Sequence, residues 1–462
     1  MNDNEEKTDK TVGRNKVADN RRRPTVIQRL VVNICRFLVA LTFIFSGYVK
    51  AIDPLGLQYK LQDYLTALNL SGLLPDIVTL SAAIALAALE FCLGVFLLLA
   101  IQRRATTRVA FVFMVFMTIV TLWLWIANPI SDCGCFGDAV HLTNGQTLMK
   151  NIVLLVCSFI LMLYPKMMVI LVSRTNQWIA MHYSILFIVL SSIWSLYALP
   201  HFDFRPYHIG ANIPEGMVIP EGAPQPEFRT TFILEKDGVR KSFTLDDYPD
   251  STWTFIDSKT ETVREGYVPP IHDFSITAMD TGDDITEEVI NDTNYVFLLI
   301  SPHLETASDD NFGEIDQLYE YAQDHHYAFY GLTASDEGGV ALWREMTGAE
   351  YPFSNVDETT LKTMIRSNPG LILIKNGTVI RKWSHNRLPD IQRYKQPLHT
   401  SPLGQMPSTT VAEKIAAVLL WFALPLLILI LADRMWAWTK WLKKKKRYQN
   451  IYKHHPRKKE ET

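Results

Sequence analysis

Cysteine is scarce in this chain, with five residues in 462, and none follows Cys157. Because a thiolate is the nucleophile of disulfide exchange, the whole stretch after Cys157 is excluded from that chemistry. An excess of either charge is also missing, since the formal net charge is −3 and Lys and Arg lie mainly beside apolar runs. This balance gives no reason to expect a nucleic-acid partner.

Charged residues are few, at 20% against 48% hydrophobic residues, which is too apolar for one soluble domain of this length. A helix that crosses the roughly 30 Å hydrocarbon layer needs about 20 mostly apolar residues. Six stretches meet this requirement: residues 30–49, 77–101, 108–127, 148–171, 178–199 and 411–431. The sequence therefore predicts a polytopic α-helical membrane protein in contact with the lipid bilayer.

Positive charge predicts the orientation of these stretches, because short loops rich in Lys and Arg stay in the cytoplasm. The basic residues of 21–23, 103–108, 166–174 and 443–447 fall on one side if all six stretches cross. We therefore expect both termini in the cytoplasm of a bacterium, with residues 1–29 as a disordered tail before a retained signal anchor and 432–462 as a basic tail. The loops 53–76 and 128–147 and the segment 200–410 are then expected in the periplasm.

Cys133 and Cys135, in "SDCGCFGD", are the two cysteines that lie close together in the sequence. In the oxidising periplasm a disulfide between them would persist. Gly134 permits the sharp bend that such a bond needs, and a strained, exposed disulfide exchanges readily. We therefore predict Cys133 and Cys135 as catalytic residues of thiol-disulfide exchange.

Two other interpretations of this turn stay open. The cysteines could act only as a structural staple of the loop. They could also bind a metal, although tetrahedral zinc needs about four ligands and the neighbouring candidates are Asp132, Asp138 and His141. The other cysteines, Cys35, Cys92 and Cys157, lie inside apolar stretches and are expected to pack as small apolar side chains.

Glu90 lies near the middle of the second apolar stretch, where a charged side chain costs at least a few kcal/mol. We expect it to face the bundle interior, protonated or paired, and predict it as a third catalytic residue that supports proton or quinone chemistry. The alternative is a packing hydrogen bond to Ser46 or Asn151. No cofactor-binding motif is evident, so a membrane quinone is the cofactor that would suit this chemistry. Arg36 and Lys50 are expected to snorkel to the two membrane interfaces.

Three motifs carry a family resemblance: "RFLVALTFIFSGYVKAIDPLG" (36–56), "LEFCLG" (89–94) and "DCGCFGD" (132–138). Together they resemble the MauE branch of the DoxX-like membrane proteins, over about residues 30–171. The resemblance implies a four-helix membrane unit and a link to disulfide handling in the envelope, since MauE is associated with maturation of the disulfide-rich subunit of methylamine dehydrogenase. A minimal MauE-like protein lacks the long extension that follows here.

The segment after the fifth stretch predicts an α/β unit. Residues 200–288 are expected to be β-rich, with a hairpin turn at Asp237-Gly238, and 391–410 to be a linker. Residues 289–390 resemble the thioredoxin fold, with a cis proline, Pro369, before the third core strand. The elements expected there are strands at 295–301 and 328–334, helices at 309–325, 339–346 and 358–366, and a final hairpin at Asn376-Gly377.

This unit lacks the CxxC of a catalytic thioredoxin and has "SPHLETAS" in its place. We therefore expect it to bind a periplasmic client protein or peptide along its proline-side groove. Two functions follow from the whole sequence. The first is a membrane thiol-disulfide redox or disulfide-maturation protein that acts through Cys133 and Cys135. The second is a non-catalytic envelope receptor or scaffold whose thioredoxin-like unit binds a protein partner.

Overall fold

The computed structural model describes residues 25–130, 133–224, 227–236, 239–243, 253–264, 266–272, 274–393 and 395–454. In these residues six helices are long and apolar enough to cross a membrane, as the sequence predicted. They are α1 (Val26–Ile52), α3 (Asp76–Leu99), α4 (Arg103–Ala127), α5 (Asn144–Leu163), α6 (Gln177–Ala198) and α12 (Val411–His454). The fourth ends at Leu163 rather than at residue 171, because Pro165 follows its C-cap and cannot continue the helix.

Helices α1 and α3 cross at very short range, and two glycines permit this crossing. A Cβ atom on Gly94 would lie 2.7 Å from the backbone nitrogen of Ile44, and one on Gly47 would lie 2.7 Å from Cα of Phe91. Small residues allow this approach of two backbones in a membrane bundle. Helices α4 and α5 complete the unit, with a shared apolar core that includes Phe43.

Helices α6 and α12 pack on the outside of this unit. The ring of Phe422 on α12 lies 4.6 Å from that of Phe187 on α6 and 5.1 Å from that of Phe91 on α3. Asp433 of α12 accepts hydrogen bonds from the backbone and the hydroxyl of Ser173, at 2.8 and 2.5 Å. These contacts fix the last helix against the others, although most of its surface is open to lipid.

A short helix that the sequence did not predict, α2 (Pro54–Ala67), lies between α1 and α3. Asp53 caps it by accepting a 3.0 Å hydrogen bond from the backbone N–H of Gly56, and Pro54 occupies its first turn. Its low apolar content hid it from a search for long apolar runs. Helix α2 carries two side chains of the site described below.

The α/β unit has a six-stranded sheet in the order β4-β7-β6-β5-β8-β9. Strands β5, β6 and β7 are parallel, whereas β8 and β9 are antiparallel. This order, with its alternating helices, is that of the thioredoxin fold. The strands are β4 (Thr277–Ala278), β5 (Tyr295–Ser301), β6 (Ala328–Thr333), β7 (Phe353–Asn355), β8 (Gly370–Lys375) and β9 (Thr378–Ser384). The helices are α7 (Ile213–Met217), α8 (Thr286–Ile290), α9 (Phe312–Asp324), α10 (Glu337–Thr347) and α11 (Glu358–Met364).

Both faces of this sheet are covered. Alternate side chains of the fully buried β5 enter two separate apolar cores, because successive residues of a strand point to opposite faces. Tyr207 and Ile213 join one core, and Leu398 and Leu403 join the other, so segments outside residues 289–390 contribute to this fold. The peptide bond before Pro369 is cis, as predicted.

A second, three-stranded antiparallel sheet has the order β2-β1-β3. Its strands are β1 (Glu227–Lys236), β2 (Val239–Phe243) and β3 (Thr254–Arg264). Strands β1 and β2 pair as the predicted hairpin requires, with Lys236 opposite Val239. The turn itself, Asp237-Gly238, lies outside the described residues.

Candidate functional site

Cys133 and Cys135 lie in a tight turn between α4 and α5, with their Sγ atoms 3.1 Å apart as free thiols. Gly134 has a φ of +64°, which an L side chain rarely adopts, so the bend predicted from the sequence is present. Both cysteines are buried, each with 7% of its surface exposed. The arrangement brings two thiols close enough for one to donate a hydrogen bond to the other.

Two hydroxyl groups hold the backbone of this turn. The hydroxyl of Tyr64, on α2, donates a 2.6 Å hydrogen bond to the carbonyl of Cys133. The hydroxyl of Ser46, on α1, donates a 2.5 Å hydrogen bond to the carbonyl of Cys135. The turn is therefore fixed by two helices, and the "FSG" motif supplies both Ser46 and the glycine that lets α1 approach α3.

Glu90 forms an ion pair with Lys50, with Nζ and Oε2 2.7 Å apart and both side chains buried. Glu90 thus faces the bundle interior and is paired, as expected. The predicted snorkelling of Lys50 is wrong, because its ammonium points inward to this carboxylate. Neither packing alternative is the partner of Glu90: Ser46 bonds to the cysteine turn, and Asn151 donates to Thr121 at 3.2 Å.

The snorkelling of Arg36 is also wrong. Its guanidinium is buried and donates to the carbonyl of Leu97 at 2.9 Å, to that of Val169 at 3.0 Å and to that of Leu98. These carbonyls lie at the end of α3 and in the segment after α5. Arg36 therefore ties together the ends of the bundle far from the cysteines.

A small cavity connects Cys135 with the buried ion pair. Its lining includes Cys135, Lys50, Glu90, Lys150 and Asn151. The volume is about 20 Å³, which is room for about one water molecule. The cavity thus joins the thiol of Cys135 to the ion pair, and the membrane quinone stays a prediction.

The electrostatics of the turn differ between the two thiols. The hydrogen bond from Cys133, together with the charges of Lys150 and Lys50, lowers the pKa of Cys135 to about 6 against the opposing effect of burial. The same hydrogen bond and burial raise the pKa of Cys133. Cys135 is thus suited to be a thiolate, and Cys133 to be its hydrogen-bond donor.

The metal interpretation gains no ligand set from the described residues, in which no group of three or more His, Cys, Asp and Glu side chains could hold an ion. Asp138 instead lies 3.5 Å from Arg366. Asp132 lies outside the described residues. Cys35, Cys92 and Cys157 are buried in apolar clusters, in agreement with their predicted packing role.

The thioredoxin-like unit contacts the membrane unit beside the cysteine turn. Arg366, next to the proline loop, places Nε 3.0 Å from both carboxylate oxygens of Asp53. Its guanidinium also lies over the ring of Tyr59, 5.3 Å from the centroid. Burial raises the pKa of Asp53, but the charges of Arg366 and Arg205 outweigh it and lower that pKa.

The segment that replaces CxxC is closed by internal hydrogen bonds. Asn368 accepts a 2.6 Å bond from the hydroxyl of Ser301 and donates a 3.0 Å bond to the carbonyl of His303. Nε2 of His303 lies 2.9 Å from Oε1 of Glu358, and both side chains are partly exposed. The hydroxyl of Ser335 accepts a 2.9 Å hydrogen bond from the backbone N–H of Leu304 and donates a 2.8 Å hydrogen bond to the carboxylate of Glu305. These hydrogen bonds hold the shape of the loop beside Pro302.

The sequence named the cysteines and Glu90, with Ser46 only as a packing partner of Glu90. It did not indicate the roles of Tyr64, Lys150 and Arg366 or the inward position of Lys50, although the "FSG" motif was a signal for Ser46. Lys150, near the start of an apolar stretch, resembled an ordinary interfacial charge. Tyr64 and Arg366 gave no signal, because both act across long sequence separations.

Comparison with known proteins found two family models that match parts of the chain. Residues 28–164 match the family model described as methylamine utilisation protein MauE. Residues 228–265 match the model of a domain of unknown function (DUF8463). A comparison with curated protein sequences found no match.

Among solved structures, the chain is similar to the solution structure of a "putative protein disulfide isomerase" from Bacteroides thetaiotaomicron. The two are 16% identical with a TM-score of 0.21, over 27% of this chain and 82% of the other. The family match and the six apolar helices together make this a multi-pass membrane protein. Its N-terminal unit matches the MauE family model over residues 28–164, and its C-terminal unit has a thioredoxin-like sheet.

Proposed function

We propose that this protein is a thiol-disulfide oxidoreductase of the bacterial envelope that introduces disulfides into client proteins through Cys133 and Cys135. The observation that carries the proposal is the 3.1 Å contact between the two thiols beside buried lysines. The positive charges of these lysines have no role in a structural staple. In a redox pair they stabilise the thiolate and so set how stable the reduced form is.

The charges around Cys135 favour the oxidising direction. Two ammonium groups, Lys50 and Lys150, and one carboxylate, Glu90, line the cavity. A thiolate on Cys135 makes this group of charges neutral overall. A dithiol whose reduced form is stabilised in this way has a strongly oxidising disulfide, and a thiol of low pKa is also the better leaving group.

The exchange proceeds in two balanced steps. A client thiolate attacks Sγ of Cys133, the Cys133–Cys135 bond breaks, and Cys135 leaves as a thiolate. The second client thiolate then attacks the client sulfur bonded to Cys133, which closes the client disulfide and releases Cys133. The client is oxidised and the pair is reduced by two electrons. Of the two client protons, one ends on Cys133 and the other is released.

Glu90 and Lys50 are assigned to the released proton, because their ion pair shares the cavity with Cys135. A water molecule in this cavity would bridge Sγ of Cys135 and the Lys50–Glu90 ion pair. A membrane quinone stays a prediction for the final electron acceptor. No step is assigned to it.

The thioredoxin-like unit is proposed to present the client, on the side of its proline loop. That loop lies close to the cysteine turn, because Arg366 beside it contacts Asp53 and Asp138. The distribution of Lys and Arg supports a periplasmic location for this unit. An impermeant maleimide on intact spheroplasts should then label Gly313→Cys, whose Cβ has open space around it, but not Arg174→Cys. Labelling of Arg174→Cys alone would show that the protein has the opposite orientation in the membrane.

The function is tested by trapping mixed disulfides in membranes. In Cys135→Ser treated with glutathione disulfide, Cys133 carries a glutathione that a client thiolate displaces. A model peptide with a single cysteine then stays bonded to Cys133, because the thiol of Cys135 that would displace it is missing, so covalent complexes that dissolve in reductant should accumulate. Cys133→Ser and Cys92→Ser serve as matched controls and should trap far less. If Cys135→Ser traps no partner and the pair never cycles, the scaffold interpretation is favoured instead.

A further inference from the structure

Arg366 joins two carboxylates that belong to different parts of the membrane unit. Its Nε lies 3.0 Å from both oxygens of Asp53, and its Nη2 lies 3.5 Å from Oδ2 of Asp138. The side chain is only 8% exposed. Asp53 and Asp138 are 20% and 34% exposed, so Arg366 is the buried partner of this three-part ion cluster, and its removal leaves two carboxylates without this counter-charge.

Each carboxylate belongs to a segment that borders the cysteine turn. Asp53 caps α2, and α2 carries the Tyr64 hydroxyl that binds the carbonyl of Cys133. Asp138 lies three residues after Cys135 in the same loop. Without the guanidinium between them, two like charges would repel and favour separation of α2 from the turn.

The membrane unit is shaped to receive this side chain. A Cβ atom on Gly56 would clash first with the carboxylate of Asp53 and would lie 2.9 Å from Nη2 of Arg366, so glycine leaves room for this ion pair. Tyr59 supplies an aromatic face at 5.3 Å, and the ammonium of Lys362 lies 4.8 Å from the same ring. Asp53, Gly56 and Tyr59 all lie at the start of α2, which is therefore the docking point of the thioredoxin-like unit.

We propose that Arg366 is a positioning residue that couples docking of the thioredoxin-like unit to closure of α2 over the cysteine turn. In the docked state the two thiols are covered. Release of Arg366, when a client occupies the proline loop beside it, opens the turn to that client. The regulatory meaning rests on the proposed function, whereas the coupling itself depends on geometry alone.

The test measures how fast a maleimide alkylates Cys133 and Cys135 in reduced membranes of the full-length protein, resolved by mass spectrometry. Arg366→Met should raise the rate at least about ten-fold, because a buried ion cluster is broken. Amide hydrogen exchange over residues 53–67 should rise with it. The matched control, Arg393→Met, removes an exposed arginine of the same unit and should change neither.

Two further variants keep the test decisive. Arg366→Lys keeps the positive charge between the two carboxylates and should keep alkylation close to that of the unaltered protein. Asp138→Asn removes the charge that links Arg366 to the cysteine loop, so it should also raise the alkylation rate. It serves as the test if Arg366→Met does not reach the membrane. Unchanged alkylation in both Arg366→Met and Asp138→Asn overturns the coupling, as does an equal rise in Arg393→Met. Alkylation needs no redox cycling, so the coupling can hold even if no client is trapped. Equally, a client can be trapped even if the coupling fails.

Discussion

Lys50 and Glu90 form a 2.7 Å ion pair inside the membrane unit, on the wall of the cavity that also reaches Cys135. The pair lies on α1 and α3 at the crossing that Gly47 and Gly94 make possible. A buried ion pair costs desolvation energy that apolar side chains would not, so it is weak evidence for stability. Its position beside a thiol of lowered pKa is better explained by chemistry at that thiol.

The first prediction concerns the pH dependence of alkylation. Because the pKa of Cys135 is lowered to about 6, its thiolate forms as the pH rises through about 6, and alkylation should increase over that range. Cys133, whose pKa is raised, should react only at much higher pH. Iodoacetamide labelling of reduced membranes, resolved by mass spectrometry, measures both profiles. Two coincident profiles centred near the ordinary cysteine value of about 8.5 would contradict the account.

The second prediction concerns Lys150. In Lys150→Met the thiolate loses one of its two neighbouring ammonium groups, so the alkylation midpoint of Cys135 should rise by about one pH unit. Lys150→Arg keeps the charge and should stay close to the unaltered protein. The same labelling experiment reports both. An unshifted midpoint in Lys150→Met would remove this residue from the electrostatics of the turn.

The third prediction separates the structural and chemical parts of the Lys50–Glu90 pair. Glu90→Gln leaves Lys50 buried without a counter-charge and should destabilise the protein by about 3–5 kcal/mol. The double variant Lys50→Met with Glu90→Met should regain most of that stability while disulfide exchange stays slow. Thermal unfolding in detergent and the rate of oxidation of a model dithiol peptide are the two readouts. If the double variant oxidised the peptide as fast as the unaltered protein, the Lys50–Glu90 pair would have a structural role only.

The fourth prediction concerns the hydrogen bond from Ser46 to the carbonyl of Cys135. Ser46→Ala leaves a buried carbonyl without this donor, which costs about 1–3 kcal/mol and should loosen the turn. Both cysteines should then be alkylated faster at a fixed pH. Ser81→Ala, whose hydroxyl bonds only within its own helix, is the matched control. Equal rates in the two variants would show that Ser46 does not hold the turn.

The sequence was informative where the signal is local. Apolar length predicted six spans, and the order of elements predicted the thioredoxin-like sheet with a cis bond before Pro369. Gly134 predicted the bend between the cysteines. The largest misplacement in the membrane unit was the end of the fourth span, because the apolar run continues past Pro165 although the helix does not.

Pairings across long sequence distances could not be predicted in this way. The partner of Glu90 depends on how α1 crosses α3, and Lys50 had an equally reasonable role at an interface. Arg366 reaches Asp53 only because two units dock, which no periodicity reports. The candidate site was therefore half predicted: its thiols came from the sequence, and the charges and hydroxyls around them came from the fold.

The reduction potential of the Cys133–Cys135 pair tests the central claim most directly. Membranes are equilibrated in glutathione buffers of graded potential, and the fraction of each cysteine that can be alkylated is measured. The account predicts a potential of about −120 to −200 mV, as for pairs that donate disulfides. A potential below about −300 mV, typical of structural disulfides, or a pair that never forms a disulfide, would contradict it.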